Sequence, residues 1–189
     1  MAPVHAAIIF YSAAGTVQAL AEAAAEGAEK AGAQVRLRRV AEPDPAPAAP
    51  SEAAAGLDDL AWADAVLFGT PARFGNPAAE LKAFLDTTGR LWREGALTDK
   101  VYSAFTASST AHGGQESTLL ALGNVFYHWG GIIVPPGYTD PIQFRSGNPY
   151  GTSHVSGDGP PGEVALQAAR YQARRAVETA AALKAGRCR

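Results

Sequence analysis

The sequence predicts a single α/β domain, residues 1–189, built on a doubly wound five-stranded parallel sheet with helices on both faces. Three observations carry this expectation. Short apolar runs alternate about five times with segments of helical period, the signature of a parallel sheet wrapped by helices. The runs are apolar nearly throughout, as strands covered on both faces are. The chain has 189 residues and is 47% hydrophobic, enough for one full core, and it shows no internal repeat.

The elements follow in order. Val4–Tyr11 (VHAAIIFY) reads as a buried strand, with Ser12 and Gly15 turning the chain after it. Thr16–Ala33 places Val17, Leu20, Ala21, Ala24, Ala28 and Ala31 at steps of three and four, an amphipathic helix stopped by Gly32. Gln34–Val40 alternates and predicts a strand with one partly wet face. Ala41–Pro50 has four prolines in ten residues and predicts an extended linker. A short helix over Leu57–Ala63 and a buried strand over Ala65–Gly69 come next. Pro77–Thr88 predicts a helix with Pro77 in its first turn. Val101–Ala107 is the fourth strand, Gly114–Trp129 a helix, and Ile132–Val134 the fifth strand. Pro135–Gly162 shows no clear element, and Glu163–Lys184 closes as a long helix.

In an open sheet of this kind ligands bind outside the carboxyl ends of the strands, where the strand order reverses. Three loops therefore hold the candidate site, and the long Pro135–Gly162 segment is a further candidate, a wall over it from the same or a neighbouring subunit. The first, YSAAGTV, leaves a strand and opens a helix whose unsatisfied N–H groups suit a phosphate. Ser12, Ala13, Ala14, Gly15, Thr16 and Val17 are its contacts, with Ser12 and Thr16 adding hydroxyls and no Lys or Arg present. An ordinary turn with Ser12 as a helix cap has the same sequence. The second, GTPARFGN, can lay backbone N–H groups and an aromatic beside a flat ring through Pro71, Ala72, Arg73, Phe74, Gly75 and Asn76. A Pro/Gly connector with Phe74 in the core is its alternative. The third, TASSTAHGGQ, offers close backbone approach through Ser108, Ser109, Thr110, Ala111, His112 and Gly113, or is simply a polar loop. His128 ends the following helix, where it either faces the cleft as a hydrogen-bonding group or is structural. Trp92 either covers a ring face or belongs to the core.

Several classes are excluded as expectations. A net charge of −2 without basic runs gives no support for nucleic-acid binding. No G-x-G-x-x-G or P-loop ending is present, and no histidine cluster has metal-ligand spacing, so no metal is expected. The one cysteine, Cys188, cannot form an internal disulfide. With no signal peptide and no run of 18 apolar residues, the expectation is a soluble cytoplasmic protein without membrane contact.

The stretches FYSAAGTVQALAEAAAEGA, FGTPARFGNPAAELKAFLDTTGRLWREGAL, GGQES, HWGGIIVPPGY and GNPYG occur in this order. Together they resemble the flavodoxin-like WrbA family, the type IV NAD(P)H:quinone oxidoreductases, over most of the chain. The resemblance implies FMN held by Ser12–Val17, Ala72–Phe74, Ser108–Gly113 and His128, with Trp92 lining the nicotinamide and quinone site. It implies NADH or NADPH as hydride donor, a quinone as acceptor, and a homo-oligomer (dimer or tetramer). The implied reaction is ping-pong, with a nicotinamide hydride passing to flavin N5 and two electrons then leaving to the quinone. The rivals are a one-electron flavodoxin-type carrier, which the weak net charge disfavours, and a non-enzymatic flavodoxin-fold binding protein. Departures from the family pattern are Ala14 for a bulky aromatic, Thr16 for a frequent histidine, His112 for a common glycine, and shortened segments at 41–50 and before GNPYG.

Overall fold

The computed structural model describes residues 3–41 and 53–187. Most of the expected linker, residues 42–50, and Cys188 lie outside the described residues. The order is β1 (His5–Phe10), α1 (Thr16–Lys30), β2 (Gln34–Arg39), α2 (Leu57–Trp62), β3 (Ala65–Arg73), β4 (Asn76–Pro77), α3 (Ala79–Asp86), α4 (Gly89–Arg93), β5 (Val101–Ser108), α5 (Gln115–His128), β6 (Ile132–Ile133), α6 (Pro141–Ser146), β7 (Ser153–Val155), a single 3₁₀ turn (Ser156–Asp158) and α7 (Glu163–Arg187). The sheet runs β2-β1-β3-β5-β6, all parallel, so the reversal of strand order falls beside β1 and β3.

Alternation along the central strands feeds two cores. Ala6, Ile8 and Phe10 of β1 join Leu67, Phe105 and the alanine-rich faces of α1 and α7 on one side. Ala7 and Ile9 join Val66, Phe68, Tyr102 and residues of α2, α3 and α5 on the other. Small residues (Ala21, Ala24, Ala28, Ala169, Ala173, Ala176) let α1 and α7 pack closely over the sheet. Among the described residues no helix is long and apolar enough to cross a membrane.

Several expected bounds change. β3 continues to Arg73, four residues past the expected strand end, because it folds back into an antiparallel hairpin with β4. Pro77 therefore does not open α3; it pairs with Ala72 in the hairpin, and α3 starts at Ala79. A proline tolerates this place because a two-residue edge strand leaves its missing donor unneeded. The helix α4 around Trp92 is additional.

The main correction concerns residues 135–162, which hold α6, β7 and the 3₁₀ turn. Their strand signal is only three residues long, Ser153–Val155, and carries too little pattern to read. β6 and β7 flank the same side of β5: β6 pairs with Val101 and Tyr102, β7 with Thr106, Ala107 and Ser108. The fifth strand is thus split, and the intervening chain loops out and returns. Gln172 of α7, 1% exposed, fills the gap. Its amide nitrogen donates to Ala104 O and Ser103 Oγ, both at 2.7 Å, and its carbonyl accepts from Thr152 N–H at 2.7 Å. One side-chain amide thus supplies the bonds a missing strand residue would have made. Replacing Gln172 with Met leaves these buried groups unpaired. The expected loss is about 3 kcal/mol of unfolding free energy, read by urea denaturation; an unchanged midpoint would contradict this account.

At the opposite, amino end of the sheet, Asp64 accepts from His5 N–H at 2.9 Å and from Lys184 Nζ at 2.6 Å. Burial pushes its carboxyl up, but these two bonds and the Lys184 charge outweigh it and hold it below the ordinary value. A depressed folded pKa contributes stability above the unfolded value, near 3.9, that is lost as pH falls through the folded one. The pair is about a third exposed, so its worth stays within about 1 kcal/mol. Lys184→Met is expected to be less stable than the parent at pH 7 and equal to it near pH 2, in denaturation curves at the two pH values.

Candidate active site

The three expected loops meet at the carboxyl rim of β1, β3 and β5, around a concavity of about 150 Å³. Ser12, Ala13, Ala14, Thr16 and Val17 line it from the first loop, Pro71, Ala72 and Arg73 from the second, and Ser108 and Ser109 from the third.

The first loop is shaped by Gly15, whose φ of 81° lies in the left-handed region and which stands at the N-terminus of α1 without a side-chain cap. Ser12 is not the cap. It is buried, its hydroxyl accepts from Gln18 N–H at 3.3 Å, and its carbonyl accepts from Arg39 Nη2 at 2.8 Å. Among the described residues the N–H groups of Ala13 through Val17 have no partner, and the first turn of α1 carries no acid. Such a cluster of amides at a helix start, with two hydroxyls and no negative charge, fits a phosphate monoester. It fits the phosphate of FMN, the group that the sequence resemblance implies.

The second loop is a two-residue hairpin turn. Phe74 (φ 52°) and Gly75 (φ 74°) are both left-handed, the geometry that matches the twist of flanking strands. A left-handed phenylalanine is strained, and Phe74 is fully exposed, contrary to the core alternative. Thr70 anchors the hairpin base, accepting from Ala78 N–H at 2.9 Å while its carbonyl accepts from Thr106 Oγ1 at 2.7 Å.

The third loop locks against the second. Ser117 Oγ lies 2.9 Å from Gly75 O and 3.1 Å from Gly114 O, its one proton shared between them. A Cβ on Gly114, itself left-handed at φ 83°, would stand 2.5 Å from Gly75 Cα. Ser108 Oγ donates to Thr110 O at 2.7 Å and accepts from Gln115 Nε2 at 2.9 Å. Ser109, Thr110, Ala111 and His112 form an exposed edge, and Gly113 is half-buried.

Two contributors were not named from the sequence, one of them in the 135–162 segment already expected to border the site. Ser156 also lines the concavity and donates to Ser108 O at 3.1 Å. Part of the 135–162 stretch thus borders the site of its own chain. Arg39 comes from β2, and only its place at a strand end beside β1 could have flagged it.

His128 and Trp92 are brought together, but not to the three loops. Trp92 Nε1 donates to His128 O at 2.9 Å, and both line a separate groove of about 420 Å³ between α3, α4 and α5. The reason is helical: α5 starts at the rim with Gln115 and reaches His128 thirteen residues later, about 20 Å along its axis. Between the two places lies a hollow of about 720 Å³, bordered by Phe74, Gly75, Asn76, Leu120, Tyr127 and Tyr150.

This strand order, with a run of amides open at the start of the first helix and two further rim loops, defines a flavodoxin-fold protein. The crystal structure of the flavodoxin, WrbA-like protein from Agrobacterium tumefaciens superposes with a TM-score of 0.71 over 95% of this chain and 98% of that one, at 24% identity. The chain belongs to the NADPH-dependent FMN reductase family, which matches residues 9–141. It is 42% identical to the NAD(P)H dehydrogenase (quinone) of Deinococcus radiodurans over 201 residues, covering 96% of this chain and 98% of that one. The enzyme of the same description from Paracoccus denitrificans is also 42% identical, with 96% of each chain covered.

Gly114→Ala tests the clamp between the rim loops. Separating Gly75 from position 114 is expected to weaken FMN binding about tenfold, the effect of roughly 1–2 kcal/mol of displaced strain. Flavin fluorescence quenching measures it.

Proposed function

We propose that this chain is an FMN-dependent NAD(P)H:quinone oxidoreductase that works as a homo-oligomer, dimer or tetramer. The observation that carries the reading is the run of amides from Ala13 to Val17 at the rim, unpartnered among the described residues, free of acids in the first turn and walled by two clamped loops. Bound FMN supplies the chemistry, taking a hydride from NADH or NADPH and delivering two electrons to a quinone. The protein's part is placement. Ser12–Val17 would hold the phosphate, and Pro71–Asn76 and Ser108–Gly113 would border the ring. Backbone N–H groups beside the ring favour the negative charge of the reduced state. No side chain is needed as a nucleophile.

What one chain leaves open supports the oligomer. Phe74, Leu120, Tyr127 and Tyr150 are large, exposed and gathered around one hollow, the kind of apolar surface that marks a protein contact. Trp92 and His128 lie in their own groove, away from the loops of their own chain. In an assembly they complete the nicotinamide and quinone site of a second copy, with His128 placed to hydrogen-bond a quinone oxygen.

Purified protein mixed with FMN, NADH or NADPH, and benzoquinone is expected to turn over with parallel double-reciprocal lines. Yellow protein without turnover would point to a one-electron carrier, and colourless protein to a binding module. Trp92→Ala is expected to lower kcat/KM for the quinone about tenfold without loss of FMN. Sedimentation of the parent protein as a monomer at assay concentration would remove the shared-site reading.

A further inference from the structure

We propose that Arg39 is a positioning residue for the cofactor phosphate, acting through the Ser12–Ala13 peptide. The proposal rests on the FMN reading above. Arg39 ends β2, paired in register with Phe10 at the carboxyl end of β1, so its guanidinium reaches the phosphate loop from the neighbouring strand. Its Nη2 donates to Ser12 O at 2.8 Å, across 27 residues of sequence. No peptide bond among the described residues is cis. In a trans peptide the carbonyl and the following N–H point in opposite directions. A Ser12 carbonyl drawn toward β2 therefore turns the Ala13 N–H the other way, toward the concavity that Ala13 lines.

The same residue is held from its other end. Ser12 Oγ accepts from Gln18 N–H, which leaves the hydroxyl proton available to an anion. Ser12 is 2% exposed, so this arrangement is fixed by packing as well as by bonds. The loop has no cation of its own. A permanently charged guanidinium one peptide behind the amides polarises that peptide and strengthens its N–H as a donor. Arg39 thus both orients and charges the cradle without standing in it.

The test compares FMN with riboflavin, which has the same ring and no phosphate. Dissociation constants come from flavin fluorescence quenching of the apoprotein, with thermal melts as a control. Arg39→Met is expected to weaken FMN about 10–100-fold, the range for a lost hydrogen bond to a charged group, and to leave riboflavin within about twofold. Arg39→Lys, which keeps the charge but not the planar fork, is expected to fall between the two. It also serves as the folded variant if Arg39→Met does not fold. Unchanged FMN affinity in both variants overturns the proposal while the FMN reading stands. Equal losses for FMN and riboflavin overturn it too, since they report general damage to the site. Parent protein that takes up neither flavin removes the FMN reading and this proposal together.

Discussion

Between β6 and β7 the fifth strand lacks its middle, and the buried amide of Gln172 occupies that place. The arrangement satisfies Ala104 O and Thr152 N–H inside a core where no water can do so. It also ties α7, β5 and the chain entering β7 into one unit. The position of β7 fixes where Ser156 meets Ser108, and so fixes one border of the rim concavity. A helix on one face of the sheet thereby sets the geometry of a loop at its end.

At the rim, backbone rather than side chains does most of the shaping. A Cβ on Gly114 would strike Gly75 Cα, one on Gly75 would press on Ser117 Oγ, and that hydroxyl holds the pair. The hairpin tip is strained at Phe74 and carries that ring wholly outside the fold. Electrostatically the first loop presents amide dipoles, with no acid in the first turn of α1. Recognition by fixed dipoles suits a dianion that must be held in one orientation, because the donors are already aligned before it arrives.

The central sheet was legible because Ile8 and Ile9, or Val66 and Leu67, are apolar on both faces, a pattern that parallel strands between helices require. The three rim loops were legible because small, polar and glycine residues interrupt the pattern just where strands end. The hairpin was hidden by Pro77, which is as good a first-turn residue as it is an edge-strand residue. The split fifth strand was hidden because Gln172 looks like any other polar residue on a long helix, and three residues of β7 have no readable period. Sequence reading joined His128 to the loop before its helix, because order along a chain carries no sense of the helix's length.

That length has a consequence for any assembly built from this chain. α5 clamps the hairpin with Ser117 near one end and presents His128 at the other, as one stiff rod. It works as a built-in ruler. Under the shared-site proposal, the rod's length of about 20 Å would set the spacing between copies. The same rod joins the Trp92 and His128 groove to the hairpin clamp of its own chain, so the two keep a fixed separation.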